Sequence, residues 1–291
     1  MNDELWYFLI NGQADNNVGL CGNFYAYGKH LGDALKNTYN ASLEKKFNNP
    51  NLLQASRLDN FEVIGNSDEL LKLSDFVHMR QKTFSFPFDD PDKEFIPPVG
   101  IVNGVDEGEY DYDLIRECFV AYGQDESGVF EFELVLDKSN LIDTFIKTID
   151  FLPTVDGFWI YIKNYWESDK TELWVSKHFE DRDSIIDFLS TQRTNTTENG
   201  YIDIVIHSST GETNLKLGEH KKIHLHTKDE NVFNSFIGQV VDLGYEQTRE
   251  FYNLEFGFQH WHYRPADSLT RKEFIAMLTD HKFELIDKWD E

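Results

Sequence analysis

Cysteine is almost missing from this chain. Cys21 and Cys118 are the two in 291 residues, far apart and in no C-x-x-C pair. A disulfide framework is therefore not expected, and free thiols in a reducing compartment are. Basic residues are scarce as well: 27 Lys and Arg stand against 52 Asp and Glu, a formal net charge of -25. That balance excludes the cationic grooves that nucleic acids require, and it excludes attraction to an anionic membrane surface. No apolar run approaches the ~18 residues needed to cross a bilayer. The start, Met1-Asn2-Asp3-Glu4, is acidic where a secretory signal is basic. A cytoplasmic protein is the expectation.

Most enzyme signatures are missing too. No G-x-x-x-x-G-K-[ST] wraps a phosphate, no G-x-G-x-x-G follows a strand, and no G-x-S-x-G holds an exposed serine. Cys21 lies in a glycine-flanked loop, Gly19-Leu20-Cys21-Gly22, and reads as a packed, unreactive thiol. What the chain does have is apolar mass: 40% hydrophobic and 15% aromatic residues, enough for a packed core despite the charge.

Four of the seven prolines fall at Pro87, Pro91, Pro97 and Pro98, with Gly100 and Gly104 close behind. Proline neither donates in a strand ladder nor continues a helix, so 85–104 reads as a connector between a small unit, 1–84, and a larger one, 105–291. In the first, Leu5–Asn11 reads as a strand, Asn11–Gly22 as a turn and Gly28–Phe47 as a helix. Phe61–Ile64 follows as a strand, and Ser67 as the cap of a helix over Leu70, Leu71 and Leu73. In the second, Phe130, Phe132 and Leu134 alternate with acids as a half-buried strand does. Ser139, Asp181 and Asp229 stand where helix caps belong, and Thr270 with Glu273 forms a capping box. Strands at 157–166, 171–179 and 201–207 complete a β-α-β-β-α-β order. The expected class is α+β, with two-layer domains, a mainly antiparallel sheet and ferredoxin-like character. A hairpin at 213–217 and 222–227, a long strand at 251–263 and a final helix follow.

Helices in such a layer cover one face of the sheet and leave the other half-open. Strand parity assigns Glu131, Glu133, Trp159, Tyr161, Trp174, Tyr201 and Asp203 to the open side. Large aromatics there suit a contact surface, and the interleaved acids suit a basic partner. Homo-oligomerisation through the same face is the other expectation.

Histidines give a second lead. His224/His226 and His260/His262 have H-x-H spacing, which on a strand puts both rings on one side and lets them share an ion such as zinc. Parity opposes a four-imidazole site: Ile223 and Leu225 take the core side of their strand, whereas His260 and His262 share parity with Leu254, Phe256 and Phe258. The leading reading is a non-enzymatic acidic binding protein without cofactor. In general character it is similar to cytoplasmic immunity or inhibitor proteins, a likeness of composition and layout that covers no motif. The alternative is a metal-dependent hydrolase or metal-binding protein that uses the H-x-H pairs.

Overall fold

A computed structural model describes residues 3–15, 18–59, 70–87, 95–104, 115–179, 181–254 and 259–290. The chain divides into two compact units. Met1–Lys93, Val102–Tyr112 and Gly257–Ala266 form the first; Glu94–Ile101, Asp113–Phe256 and Asp267–Glu291 form the second.

The first unit folds around a long hairpin of β1 (Glu4–Asp15) and β2 (Val18–Gly28). Around it lie β3 (Asn48–Leu58), β4 (Leu70–Lys72), β5 (Val77–Arg80) and β6 (Phe84–Pro87), in the order β3-β1-β2-β5-β4 with β6 also on β2. Helix α1 (Leu31–Glu44) packs on one side of the sheet, where Phe8, Ile10, Phe24 and Ala26 meet Ala34 and Ala41. Gly28 ends β2 beside this helix: a Cβ there would lie 2.4 Å from the Ala34 amide nitrogen, so only glycine permits the approach. Strand β7 (Ile101–Gly104) pairs with β15 (Gln259–His262) in a separate two-stranded sheet.

Two readings of this region change. The Asn- and Gly-rich stretch 11–22 is mostly ladder, with Asn11 opposite Cys21 and Gln13 opposite Gly19. Pro50 sits inside β3, an edge strand on which a missing N–H can face outward. Leu70–Lys72 is a three-residue strand against β5, where a helix was expected. The strand at 61–64 and the Ser67 cap lie outside the described residues.

The second unit holds an eight-stranded sheet. Its strands are β8 (Cys118–Tyr122), β9 (Phe130–Val135), β10 (Gly157–Ile162), β11 (Thr171–Ser176), β12 (Ile202–Ser208), β13 (Thr213–Leu217), β14 (Ile223–Thr227) and β16 (Phe283–Trp289). They run in the order β16-β11-β10-β12-β13-β14-β9-β8, and every pair is antiparallel. Helices α2 (Leu141–Ile149), α3 (Arg182–Thr191), α4 (Glu230–Asp242) and α5 (Arg271–Asp280) share one core with the sheet. The class is α+β with antiparallel sheets. The chain order β9-α2-β10-β11-α3-β12 matches the expectation, but the spatial order does not give the ferredoxin-like arrangement. The hairpin β13–β14 is inserted between β12 and β9, because Ile223 and Leu225 of β14 align with Leu134 and Phe132 of β9 and extend the same apolar face.

Helix starts follow their caps. Asp181 accepts from the Ser184 amide, Asp229 from Asn231 and Val232, and Thr270 with Glu273 closes a full capping box. Ser139 does not cap α2: Asn140 takes that position without a side-chain bond. Gly244 follows α4 at φ 99°, the left-handed turn a helix end favours. Cys118 lies in strand β8, and of the expected 251–263 strand the described part is β15. Among the described residues no helix is long and apolar enough to cross a membrane.

Candidate functional site

The four described helices of the second unit pack on one face of its sheet. The residues of alternate parity line the other face, which no described helix of that unit covers, and the antiparallel register sets them in rows. One row runs Glu284, Val175, Trp159, Val205, Lys216, His224, Glu133 and Val120. The next runs Gly157, His207, Asn214, His226, Glu131 and Tyr122. Tyr161 stands between Leu173 and Asp203.

The centre near β10 is aromatic. Trp159 stacks on His207 with ring centres 5.2 Å apart and planes 16° from parallel. Gly157 makes room for this: a Cβ there would approach the indole Nε1 to 3.3 Å. Tyr161 meets Trp289 edge-on at 6.0 Å. Leu173 and Val175 are half-buried beside them, while Glu284 and Asp287 are exposed on the flanking strand β16.

The acids of this face are not equivalent. Asp203 is only 3% exposed and accepts from Lys216 Nζ at 2.7 Å and from the Glu219 amide at 2.6 Å. It also shares a hydrogen bond with the Glu219 carboxyl, and Glu219 faces Lys163 at 3.5 Å. Burial pushes the Asp203 carboxyl up to about 6, with the Glu219 charge adding to it. Burial also acts on Glu219, but the bond from Asp203 and the Lys163 ammonium outweigh it and hold that carboxyl down at about 2. Lys221 is buried nearby, donates to the Asn199 carbonyl at 2.6 Å, and is pushed down to about 8 by burial. Glu133 accepts from Lys222 at 2.7 Å, and Glu131, the more open of the pair, lies 3.1 Å from His226 Nε2.

Two expected surface residues lie elsewhere. Trp174 stands opposite Ile160 on the helix-covered face, is buried, and donates its indole N–H to Glu172 at 3.1 Å. The parity of β11 is the reverse of the apolar pattern: Leu173 and Val175 face outward and Glu172 faces in. Arg271 of α5 at 2.7 Å and Lys288 of β16 at 2.9 Å compensate the buried carboxylate. Tyr201 precedes β12 and stacks on Trp166, centres 5.4 Å apart, as part of the core.

The histidine pairs belong to different sheets. His262 lies on β15 with the first unit, and the side chain of His260 lies outside the described residues. His224 and His226 do point away from the core, as parity requires, and meet Glu133 and Glu131. Sequence reasoning missed the Asp203–Glu219–Lys163 cluster, because Glu219 sits in a hairpin turn where an acid carries no signal. Cys21 is buried, which pushes its thiol up to about 12 and makes it a poor nucleophile.

A concavity of about 610 Å³ is lined by Arg116, Asp143, Thr144, Lys147, Tyr245 and Glu246 among others. Its charges are mixed, and Thr144 Oγ1 and Tyr245 Oη bond at 2.9 Å. No protein-family model, curated protein or solved structure matches this chain.

Proposed function

We propose that this protein is a non-enzymatic binding protein that takes a basic protein partner on the face of its eight-stranded sheet opposite the described helices. The observation that carries this reading is the composition of that face: Trp159, Tyr161, Leu173 and Val175 on β10 and β11, with Trp289 and the exposed Glu284 and Asp287 on the flanking strand β16 and half-buried Glu131 across the sheet on β9. Aromatic anchors ringed by polar groups are the usual make-up of binding hot spots. Exposed acids on a chain of charge -25 steer a basic partner towards them. Asp203 and Glu133 are neutralised by Lys216 and Lys222, so they serve to hold the face rather than to attract. Inhibition of a basic protein, as immunity proteins do, is the form this role takes. A reducing cytoplasm goes with it, supported by two free, buried cysteines.

The test starts from a partner isolated from native extract and follows its association at about 0.01 M and about 0.15 M salt, where the Debye length falls from ~30 to ~8 Å. The on-rate is expected to drop steeply. Glu131→Gln with Glu284→Gln should lower it further, and Trp159→Ala should raise the off-rate at least tenfold. A partner held equally well by Trp159→Ala overturns the reading. So does a chain that buries this face in a dimer of its own.

A further inference from the structure

The sheet register brings together a group of donors that neither the aromatic centre nor the buried acid pair uses. On β9, Glu131 and Glu133 are two apart and project to the open side; on the adjacent β14, His224 and His226 do the same. His224 is directly opposite Glu133, and His226 is directly opposite Glu131. One ligand atom each from Glu131, Glu133 and His224 lies within 4.8 Å of the other two. A zinc ion holds carboxylate oxygen and imidazole nitrogen at roughly 2.0–2.2 Å, which in a tetrahedral site sets the donors roughly 3.4 Å apart. Side-chain rotation of the two glutamates and the imidazole draws the three donors together.

The surroundings are those of a metal site's outer shell. His226 Nε2 lies 3.1 Å from Glu131 Oε1, and Lys222 Nζ lies 2.7 Å from Glu133 Oε2, so each carboxylate is oriented by a neighbour. The rings of His224 and His226 are stacked within 9° of parallel, 6.2 Å apart, which places the second imidazole within the same patch. Lys216, the neighbour of His224 on β13, is engaged by Asp203 at 2.7 Å. Two carboxylates beside one bound ammonium leave a net negative pocket for a divalent cation. A nitrogen donor among the oxygens favours zinc-type transition ions over magnesium or calcium.

We infer that Glu131, Glu133 and His224 form a site for a divalent transition-metal ion of the zinc type, with His226 and Lys222 orienting its carboxylates. It differs from the four-histidine arrangement that H-x-H spacing suggests: two of its three ligands are acids on the neighbouring strand. Three protein donors leave a coordination position for water or for a group of a partner.

The test titrates untagged, chelator-treated protein with zinc chloride in a calorimeter. One saturable site is expected, together with a rise in melting temperature on zinc addition. Magnesium should not displace the zinc. His224→Ala and Glu133→Gln should each weaken binding at least tenfold, whereas Asp242→Asn, at an exposed acid of α4, should bind as wild type does. Circular dichroism of the metal-free variants checks that they are folded. If His224→Ala does not fold, cobalt(II) added to the wild-type protein replaces it as the probe, and visible bands of low-coordinate cobalt are expected. Absence of saturable zinc uptake, zinc uptake unchanged in both variants, or cobalt spectra of the hexa-aquo ion would each overturn the site.

Discussion

The two faces of the eight-stranded sheet are made by the same strands, and they obey different rules. On the helix-covered side Phe132, Leu134, Ile160, Ile204, Leu215 and Leu225 are fully buried and in contact with four helices. On the other side their immediate neighbours are Glu131, Glu133, Trp159, Tyr161, Asp203, Lys216 and His224, residues that carry polar or aromatic chemistry. A period of two is enough to separate them. The covered face is fixed by volume and transfer free energy, so one apolar residue there resembles another. The open face is fixed by pairs: Trp159 on His207, Lys216 on Asp203, Lys222 on Glu133. What distinguishes this protein from any other two-layer fold is therefore on the open face, and what makes it fold is on the covered one.

The largest expected effects test the covered face. Phe236 of α4 is fully buried and meets Phe132 edge-on at 5.2 Å and Phe151 at 5.8 Å. Phe236→Ala should cost about 3–5 kcal/mol, from lost burial plus the cavity left behind. Trp174→Ala belongs in the same range, because the indole is core and its removal also frees a bond to the buried Glu172. Chemical denaturation of both variants is the measurement. A Trp174→Ala chain as stable as wild type would return that tryptophan to the open side.

The buried acids of the open face predict an intermediate effect with a definite pH signature. Burial holds the Asp203 carboxyl at about 6 in the fold, above the ordinary 3.8, so the fold favours its protonated form. Its stabilising contribution is complete below pH 3.8 and is lost as pH rises through 6. Glu219 behaves the opposite way: held at about 2 against 4.5, it contributes above pH 4.5 and loses that contribution as pH falls through 2. The pair thus helps most near pH 4. Asp203→Asn mimics the neutral acid. Relative to wild type it should become the more stable chain as pH is raised from 4 to 7.5, because the wild-type carboxyl must then ionise in a buried site. Denaturation curves at both values measure the difference, and a difference that does not change with pH would break the coupling between the two carboxyls.

These regions were not equally legible in the sequence. Amphipathic helices with polar caps, such as α3, α4 and α5, announce themselves locally: Asp181, Asp229 and Thr270 sit one residue before the helices they start. The outward direction of His224 and His226 followed from Ile223 and Leu225 alone. The strand order did not, because the pairing of β14 with β9 joins residues about ninety apart and leaves no local mark. The reversed parity of β11 was hidden for the same reason. Glu172 is tolerated inside only because Arg271 and Lys288, on elements far along the chain, reach it. In the first unit, short edge strands such as Leu70–Lys72 are shorter than either period needs to show itself.

The smallest stability effect is expected at Trp159, and its smallness is what makes the residue informative. Its indole is half-buried, lies over Gly157 and stacks on His207, so Trp159→Ala removes one stacking contact and part of an apolar surface without opening a cavity. A loss of about 1 kcal/mol is expected, the scale of one aromatic pair. This contrasts with the several kcal/mol at Trp174, on the neighbouring strand and the opposite side. The two tryptophans share a residue type and a sheet, so their difference reports the faces alone. A melting temperature for Trp159→Ala close to wild type, combined with a faster partner off-rate, would mark it as a residue that serves contact rather than folding. A loss as large as that of Trp174→Ala would show instead that Trp159 is needed by the fold, and the aromatic centre of the open face would no longer support a binding role.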